Sequence, residues 1–181
     1  MRSALRARMR GLPSQRRCAL SAAACDLLVQ TEAFERADMV LAYMPLPYEC
    51  SPLSLCRVAR RMGKRVAFPL CCEGGVLELY SPLDADSDAA FAVGAYGILE
   101  PVRERCVEVA LDDVALIIAP GIAYSVGRVR LGQGGGYYDR LLAGAHAHKV
   151  GLCFPFQVLD DIPFEPHDAV MDAIVSADGI I

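Results

Sequence analysis

One stretch constrains the fold more than any other, LIIAPGIAYSVGRVRLGQGGGYYDRLL at residues 116–142. Its short apolar start, Leu116 to Ala119, stops at a Pro-Gly pair and predicts a buried strand. A polar, arginine-bearing loop then leads to a cluster of glycines. From Tyr137 onward the sequence continues at helical spacing. The stretch therefore predicts a strand, a loop and the start of a helix.

The glycines of this stretch are Gly132, Gly134, Gly135 and Gly136. Glycines let backbone N–H groups crowd against an anion, and a helix that begins beside them points its unsatisfied N–H groups at the same place. Arg130 adds a forked cation, so the pattern suits phosphate. Asp139, in the first helical turn, is placed to hold a divalent metal ion that the phosphates share. Glycine-rich turns also serve purely structural roles, and the spacing fits neither the P-loop nor the dinucleotide-binding fingerprint.

Composition limits the classes of protein to which the chain can belong. A length of 181 residues, with 54% hydrophobic and 22% charged content, suffices for one sizeable core, so we expect a single domain over residues 1–181. The net charge of −4 gives no overall attraction to nucleic acid or to an acidic membrane, and no apolar run is long enough to span a bilayer. Eight scattered cysteines without a C-x-x-C pair are typical of free thiols in a reducing cytosol, so we expect a cytoplasmic protein.

The first half of the chain predicts a parallel sheet. A compact apolar run at residues 39–44 reads as a buried strand, a helix follows from Ser51-Pro52 to about Met62, and residues 65–70 form the next strand. The order strand, helix, strand implies a parallel crossover unit. We therefore expect an α/β fold, a three-layer α/β/α domain with a mostly parallel central sheet and a site at the carboxyl ends of its strands.

The string RLGQGGGYYD at residues 130–139 resembles the signature R-L-G-x-G-x-G-Y-Y-D of the 5-formyltetrahydrofolate cyclo-ligase family, also called methenyltetrahydrofolate synthetase. The resemblance extends over most of the chain. It implies an ATP-dependent conversion of 5-formyltetrahydrofolate to 5,10-methenyltetrahydrofolate, with release of ADP and phosphate. It also implies ATP and the folate as small-molecule substrates and Mg²⁺ as cofactor. We expect a monomer that binds neither nucleic acid nor a membrane.

The same resemblance implies a set of site residues. Arg130 and Tyr137 would be catalytic, and Asp139 and Asp168 would hold the metal. The ATP-binding residues would be Arg2, Arg6, Arg130, Leu131, Gly132, Gln133, Gly134, Gly135, Gly136, Tyr137 and Tyr138. The folate-binding residues would be Met44, Glu49, Gln133, Gly134, Gly135, Gly136 and Tyr137.

The first 25 residues are rich in arginine and contain no acidic residue. Such a start is typical of an organelle transit peptide, and also of a solvated basic helix face. The family resemblance gives a third interpretation, because the cyclo-ligases open with a K-x-x-L-R-like segment that contacts ATP phosphates. Arg2 and Arg6 fall in the matching places, and we favour this interpretation because the segment would be needed in the mature protein.

Some positions depart from the family pattern. Ser51 and Pro52 stand where an acid and a threonine are usual, Ser125 replaces an aspartate, and Gly127 comes one position early. These departures favour one alternative, a paralogue that uses the same ATP and Mg²⁺ site on a different substrate. Another alternative is a non-catalytic ligand-binding protein on this scaffold, which the retained metal and phosphate residues argue against.

Overall fold

The computed structural model describes residues 1–84, 88–94, 97–164 and 169–181. The helices are α1 (Arg2–Gly11), α2 (Ser14–Val29), α3 (Glu32–Arg36), α4 (Leu53–Arg61) and α5 (Tyr137–Ala143). The strands are β1 (Met39–Leu41), β2 (Arg65–Cys71), β3 (Leu77–Pro82), β4 (Phe91–Val93), β5 (Leu99–Pro101), β6 (Cys106–Val109), β7 (Leu116–Ala119), β8 (Ala123–Ser125), β9 (Arg130–Leu131), β10 (His148–Leu152), β11 (Val158–Leu159), β12 (Ala173–Ser176) and β13 (Gly179–Ile180).

Within the described residues, eight strands form the central sheet in the order β13-β12-β10-β7-β1-β2-β3-β6. The run from β12 to β2 is parallel throughout, and antiparallel strands lie at both edges. Helix α4 connects β1 to its parallel neighbour β2, as the order strand, helix, strand predicts. The predicted mostly parallel sheet is confirmed.

Both faces of this sheet are covered, because successive side chains of a strand point to opposite sides. In β1, Val40 packs into the cluster that contains Leu28 of α2, whereas Met39 and Leu41 pack into the cluster that contains Leu142 of α5. Inner strands buried on both faces are what makes the apolar runs of the sequence nearly continuous. The predicted three-layer α/β/α arrangement is confirmed.

Helix α1 is part of the packed structure. Leu5 and Met9 are buried, and the Met9 sulfur accepts a hydrogen bond from Gln157 Nε2 at 3.6 Å. The arginine-rich start is therefore more than a solvated face, because its apolar side contributes to the core. None of the helices in the described ranges is long and apolar enough to cross a membrane.

The prediction of a loop between Pro120 and the glycines is wrong in part. Strands β8 and β9 pair antiparallel within it, and β11 pairs parallel with β8. Arg130 consequently lies in a strand opposite Tyr124, and its side chain is buried. Strands of two or three residues are too short to show a two-residue period in the sequence, which explains the error.

Candidate active site

A cavity of about 540 Å³ lies where the parallel strands of the central sheet end. Its lining includes residues at or just beyond the carboxyl ends of these strands, namely Tyr43 and Met44 after β1, Pro69 and Cys71 in β2, and Pro120 after β7. The glycines of residues 132–136 and the first turn of α5 line the cavity as well. This is the position that the parallel topology predicts for a ligand site.

The glycine loop, residues 132–136, presents backbone to the cavity. Gly134 and Gly136 have φ values of +103° and +68°, which residues with a Cβ atom rarely adopt. Among the described residues, none accepts a hydrogen bond from the backbone N–H groups of Gly134, Gly135 or Gly136. These groups are thus available to an anion in the cavity. Leu131, which was predicted to bind ATP, packs its side chain into the core beside the loop.

Arg130 and Asp139 meet at the edge of the glycine loop. Arg130 is only 4% exposed, and its Nη1 donates to the carbonyl oxygen of Pro120 at 3.0 Å. Its Nη2 donates to Asp139 Oδ1. The Asp139 side chain is 28% exposed and lines the cavity. A buried cation and a partly solvated carboxylate therefore lie together in the cavity wall beside the glycine loop.

Arg140 fixes the glycine loop from behind. Its Nη2 donates to the carbonyl oxygens of Gly75, at 2.7 Å, and Gly135, at 3.2 Å. A Cβ atom added at Gly136 would lie 2.7 Å from Arg140 Nη1. The guanidinium thus occupies the space that a side chain at Gly136 would need. The sequence showed Arg140 only as a helical residue, and no motif marked this contact.

Helix α1 contacts the glycine loop through its predicted ATP-binding arginines. Arg2 Nε donates to the Gly132 carbonyl oxygen at 3.1 Å. Arg6 donates from Nε to Gln133 Oε1 and from Nη2 to the Gln133 carbonyl oxygen, both at 2.9 Å. The structure therefore brings both arginines to the loop that was predicted to bind phosphate.

Gln133 connects this cationic edge to Glu49. The Gln133 amide donates from Nε2 to Glu49 Oε1 at 3.1 Å, and the Leu46 N–H donates to Glu49 Oε2 at 3.0 Å. Glu49 is 9% exposed, and this burial raises the pKa of its carboxyl above the ordinary value of 4.5, while the two hydrogen bonds oppose the shift. Both predicted folate residues of this segment, Met44 and Glu49, line the cavity.

The two tyrosines of the signature differ in their surroundings. Tyr137 lines the cavity and lies 5.6 Å from the Arg140 guanidinium. Tyr138 also lines the cavity, and its hydroxyl is buried without a hydrogen-bond partner among the described residues. Burial raises the pKa of Tyr138 far above its ordinary value, so its hydroxyl keeps its proton at neutral pH. Tyr138 therefore places a protonated hydroxyl, unpaired within the described part of the chain, just behind the cavity wall.

Some cavity residues were not found from the sequence. Glu100 in β5 is 9% exposed and lines the cavity. Cys71 lies beside it, and burial together with the hydrogen bond and charge of Glu100 raises the pKa of this thiol to about 11. Arg10 also lines the cavity. None of these three residues was among the predicted site residues.

The described residues offer one of the two predicted metal ligands. Asp139 presents a carboxylate at the cavity beside the glycine loop, and carboxylate oxygen is a donor that Mg²⁺ prefers. Asp168 lies outside the described residues. In the described part of the chain no group of three or more His, Cys, Asp or Glu side chains could hold a metal ion. The donors present fit Mg²⁺, because this ion keeps several waters and takes further oxygens from phosphate.

Comparisons with known proteins agree with this geometry. The sequence model of the 5-formyltetrahydrofolate cyclo-ligase family matches residues 1–177. The chain belongs to the 5-formyltetrahydrofolate cyclo-ligase family. A protein of Schizosaccharomyces pombe named as a probable 5-formyltetrahydrofolate cyclo-ligase is 31% identical over 172 residues, which cover 87% of this chain and 83% of the relative.

Solved structures resemble this cyclo-ligase family member along its length. The NMR structure of Aquifex aeolicus 5,10-methenyltetrahydrofolate synthetase superposes with a TM-score of 0.85 at 31% identity, covering 99% of this chain and 89% of the other. A 5,10-methenyltetrahydrofolate synthetase from Mycoplasma pneumoniae superposes with a TM-score of 0.77, covering 97% and 96% of the two chains. Its identity is 17%, so that likeness bears on the fold alone.

The departures from the cyclo-ligase pattern lie away from the cavity. Among the described lining residues are neither Ser51, Pro52 nor Ser125. Ser125 is buried in β8 and accepts a hydrogen bond from the Val129 N–H at 3.1 Å. Arg128 has a φ of +64°, a left-handed conformation that explains why the family pattern has glycine at this position. These altered residues therefore do not change the described lining of the cavity.

Proposed function

We propose that the chain converts 5-formyltetrahydrofolate to 5,10-methenyltetrahydrofolate at the expense of ATP, which is released as ADP and phosphate. The observation that carries the proposal is that one cavity is lined both by a glycine loop, a buried cation and Asp139 and by Met44 and buried Glu49. The first set suits phosphates, and the second suits a flat heterocycle with polar edges.

The chemical problem in this reaction is the formyl oxygen, which is a poor leaving group. Transfer of the terminal phosphoryl group of ATP to that oxygen breaks the bond to ADP and gives an activated imidate. N10 then attacks the formyl carbon, the bond to the phosphorylated oxygen breaks, and the N10 proton is released. Ring closure is accelerated because the protein holds N10 beside the carbon.

Each group of residues in the cavity would have its own role. Arg130 and the backbone from Gly132 to Gly136 would bind and orient the phosphates, with Arg2 and Arg6 shaping the loop around them. Tyr137 and Tyr138 would stack against and orient the ligands. Met44 and Glu49 would contact the folate. Asp139 and Asp168 would hold Mg²⁺, which when bound neutralises phosphate charge.

The direct test mixes purified protein with ATP, Mg²⁺ and 5-formyltetrahydrofolate and follows the near-ultraviolet absorbance of the methenyl product. We expect growth of this band in the wild type, dependent on ATP, and its loss in Asp139→Asn and in the presence of a chelator. Absence of the band while ATP still binds would overturn the proposal and leave the paralogue alternative. Exposed Asp26→Asn serves as the matched control, because Asp26 lies on α2 away from the cavity.

A further inference from the structure

Three arginines of α1 recur at every fourth position, Arg2, Arg6 and Arg10. This spacing places them on one face of the helix, about 6 Å apart along its axis. Arg2 and Arg6 donate hydrogen bonds to the glycine loop. Arg10 lies two turns beyond Arg2, lines the cavity, and holds its guanidinium 4.9 Å from the centre of the Tyr48 ring.

Arg10 differs from the other two arginines in its partners. Among the described residues, no carboxylate forms an ion pair with it and no acceptor takes a hydrogen bond from it. Its guanidinium lies over the face of the Tyr48 ring, a contact that uses none of its N–H groups. Arg10 is thus a cation at the cavity whose donors are available to an anionic ligand.

The surroundings of Arg10 indicate which ligand that is. Tyr48 precedes Glu49, and the segment that contains Met44, Leu46, Tyr48 and Glu49 lines the cavity on the side assigned to the folate. Arg10 is exposed, so it lies at the mouth of the cavity. A folate carries its glutamate at the end opposite the pterin. A pterin beside buried Glu49 would direct that glutamate outward, towards the mouth.

We propose that Arg10, held by Tyr48, binds a carboxylate of the glutamate moiety of the folate substrate. A guanidinium presents a fork of N–H donors that matches the two oxygens of a carboxylate. The proposal rests on the proposed function and adds to it a contact that distinguishes folates with a glutamate from those without one. The ATP phosphates are the competing anion, and the experiment separates the two.

The experiment measures KM and kcat of wild type, Arg10→Ala and Arg8→Ala with 5-formyltetrahydrofolate and with 5-formyltetrahydropteroate, which lacks the glutamate. Arg8 is the matched control, because it lies on the same helix over an aromatic ring, that of Phe156 at 4.3 Å, and is not among the described cavity residues. For Arg10→Ala we expect a KM about 10-fold higher for the glutamate-bearing folate, as for loss of a hydrogen bond to a charged group. The KM for the truncated folate, the KM for ATP and kcat should stay at wild-type values.

A rise of the ATP KM in Arg10→Ala, or an equal rise for both folates, would overturn the proposal. So would a wild type that does not distinguish the two folates. Arg10→Lys should recover part of the preference for the glutamate-bearing folate, since it keeps the charge without the fork. Calorimetric binding of each folate without ATP gives the same comparison independently of turnover. If the wild type binds both folates with the expected preference but never forms product, the proposed reaction fails while the Arg10 contact stands.

Discussion

The cavity has two walls that hold their charged groups in opposite ways. The glycine wall, residues 130–139, offers backbone N–H groups and pairs each charged side chain with a partner, as in Arg130 with Asp139. The strand wall, built from residues 43–49, 69–71 and 98–100, is largely apolar and contains two carboxyls that are each only 9% exposed, Glu49 and Glu100. One wall is arranged to accept negative charge. The other desolvates the groups that face it.

This contrast indicates how a single cavity can bind two unlike substrates. Phosphates need neutralisation, which fixed dipoles and cations provide. A flat heterocycle needs apolar contact and a few placed acceptors, which buried carboxyls in an apolar wall provide. Gln133 bridges the walls, because its amide donates to Glu49 while its oxygens accept from Arg6. The comparison predicts that substitutions on each wall act on different substrates.

The largest effect is expected for Arg130→Lys on the glycine wall. Arg130 donates to Pro120 and to Asp139 from two separate nitrogens of one planar group, and the compact ammonium of lysine does not reproduce that fork. We expect kcat/KM for ATP to fall about 100-fold, as when one preorganised group that stabilises developing charge is removed. Steady-state kinetics with varied ATP, supported by thermal unfolding, measure the change. Arg61→Lys is the control, because Arg61 is exposed at the end of α4. Near-wild-type kinetics of Arg130→Lys would contradict the role of this wall.

The strand wall is tested by Glu49→Gln. Glu49 accepts hydrogen bonds from two donors, and an amide must turn its own NH₂ group towards one of them. We expect the KM for 5-formyltetrahydrofolate to rise about 10-fold, consistent with loss of a charged hydrogen-bond acceptor, with little change in the KM for ATP. Varying each substrate in turn against a saturating level of the other separates the two constants. Equal increases for both substrates would show that the walls do not act separately.

A smaller effect on ATP is expected from Gly136→Ala. Gly136 and Gly63 both have left-handed backbone, so an alanine at either position costs about 1 kcal/mol of stability. Nothing lies within 4 Å of a Cβ at Gly63, whereas a Cβ at Gly136 would displace Arg140 from its contacts with the loop. We expect a rise of about 5-fold in the KM for ATP in Gly136→Ala alone, since hydrogen bonds worth near 1 kcal/mol are lost.

The comparison with Gly63→Ala isolates the displaced arginine. Arg140→Ala should raise the KM for ATP to a similar extent, and the double variant Gly136→Ala with Arg140→Ala should do little more, because both act on the same contact. Fully additive effects, or an equal rise in Gly63→Ala, would show that Arg140 does not hold the loop.

The parts of the molecule that the sequence predicted are those with long-range patterns. Buried inner strands such as residues 116–119 are apolar on both faces, and the glycine cluster before Tyr137 marked the start of α5 at the correct residue. The family resemblance pointed to Glu49 and Asp139, which the fold places in one cavity. The roles of these residues remain predictions, and Asp168 lies outside the described residues.

What the sequence did not predict depends on contacts between distant segments. Glu100 and Arg10 reach the cavity only because β5 and α1 are folded against it, and neither was among the predicted site residues. The contact of Arg140 with Gly75 joins positions 65 residues apart. Strands as short as β9 contain too few residues to show an alternation of apolar and polar side chains. Tertiary position, rather than local pattern, decides these features.

The subtlest test of the contrast between the walls is the pH dependence of stability. Burial raises the pKa of Glu49 above 4.5, so below that pH the carboxyl is neutral in both the folded and the unfolded chain. As pH rises from 4.5 towards the folded pKa, the unfolded chain loses this proton and the folded chain keeps it. The Glu49 contribution to the free energy of unfolding therefore falls across that window and is constant above it.

Urea unfolding of wild type and Glu49→Gln at a series of pH values measures this contribution as the difference between their free energies of unfolding. We expect the wild type to lose stability relative to Glu49→Gln as pH rises above 4.5. Gln133→Ala should enlarge that loss, because the Gln133 hydrogen bond lowers the Glu49 pKa. A difference that grows in favour of the wild type with rising pH would mean that the folded chain stabilises the Glu49 carboxylate. The strand wall would then hold its charge by pairing, as the glycine wall does, and the contrast between the two would be lost.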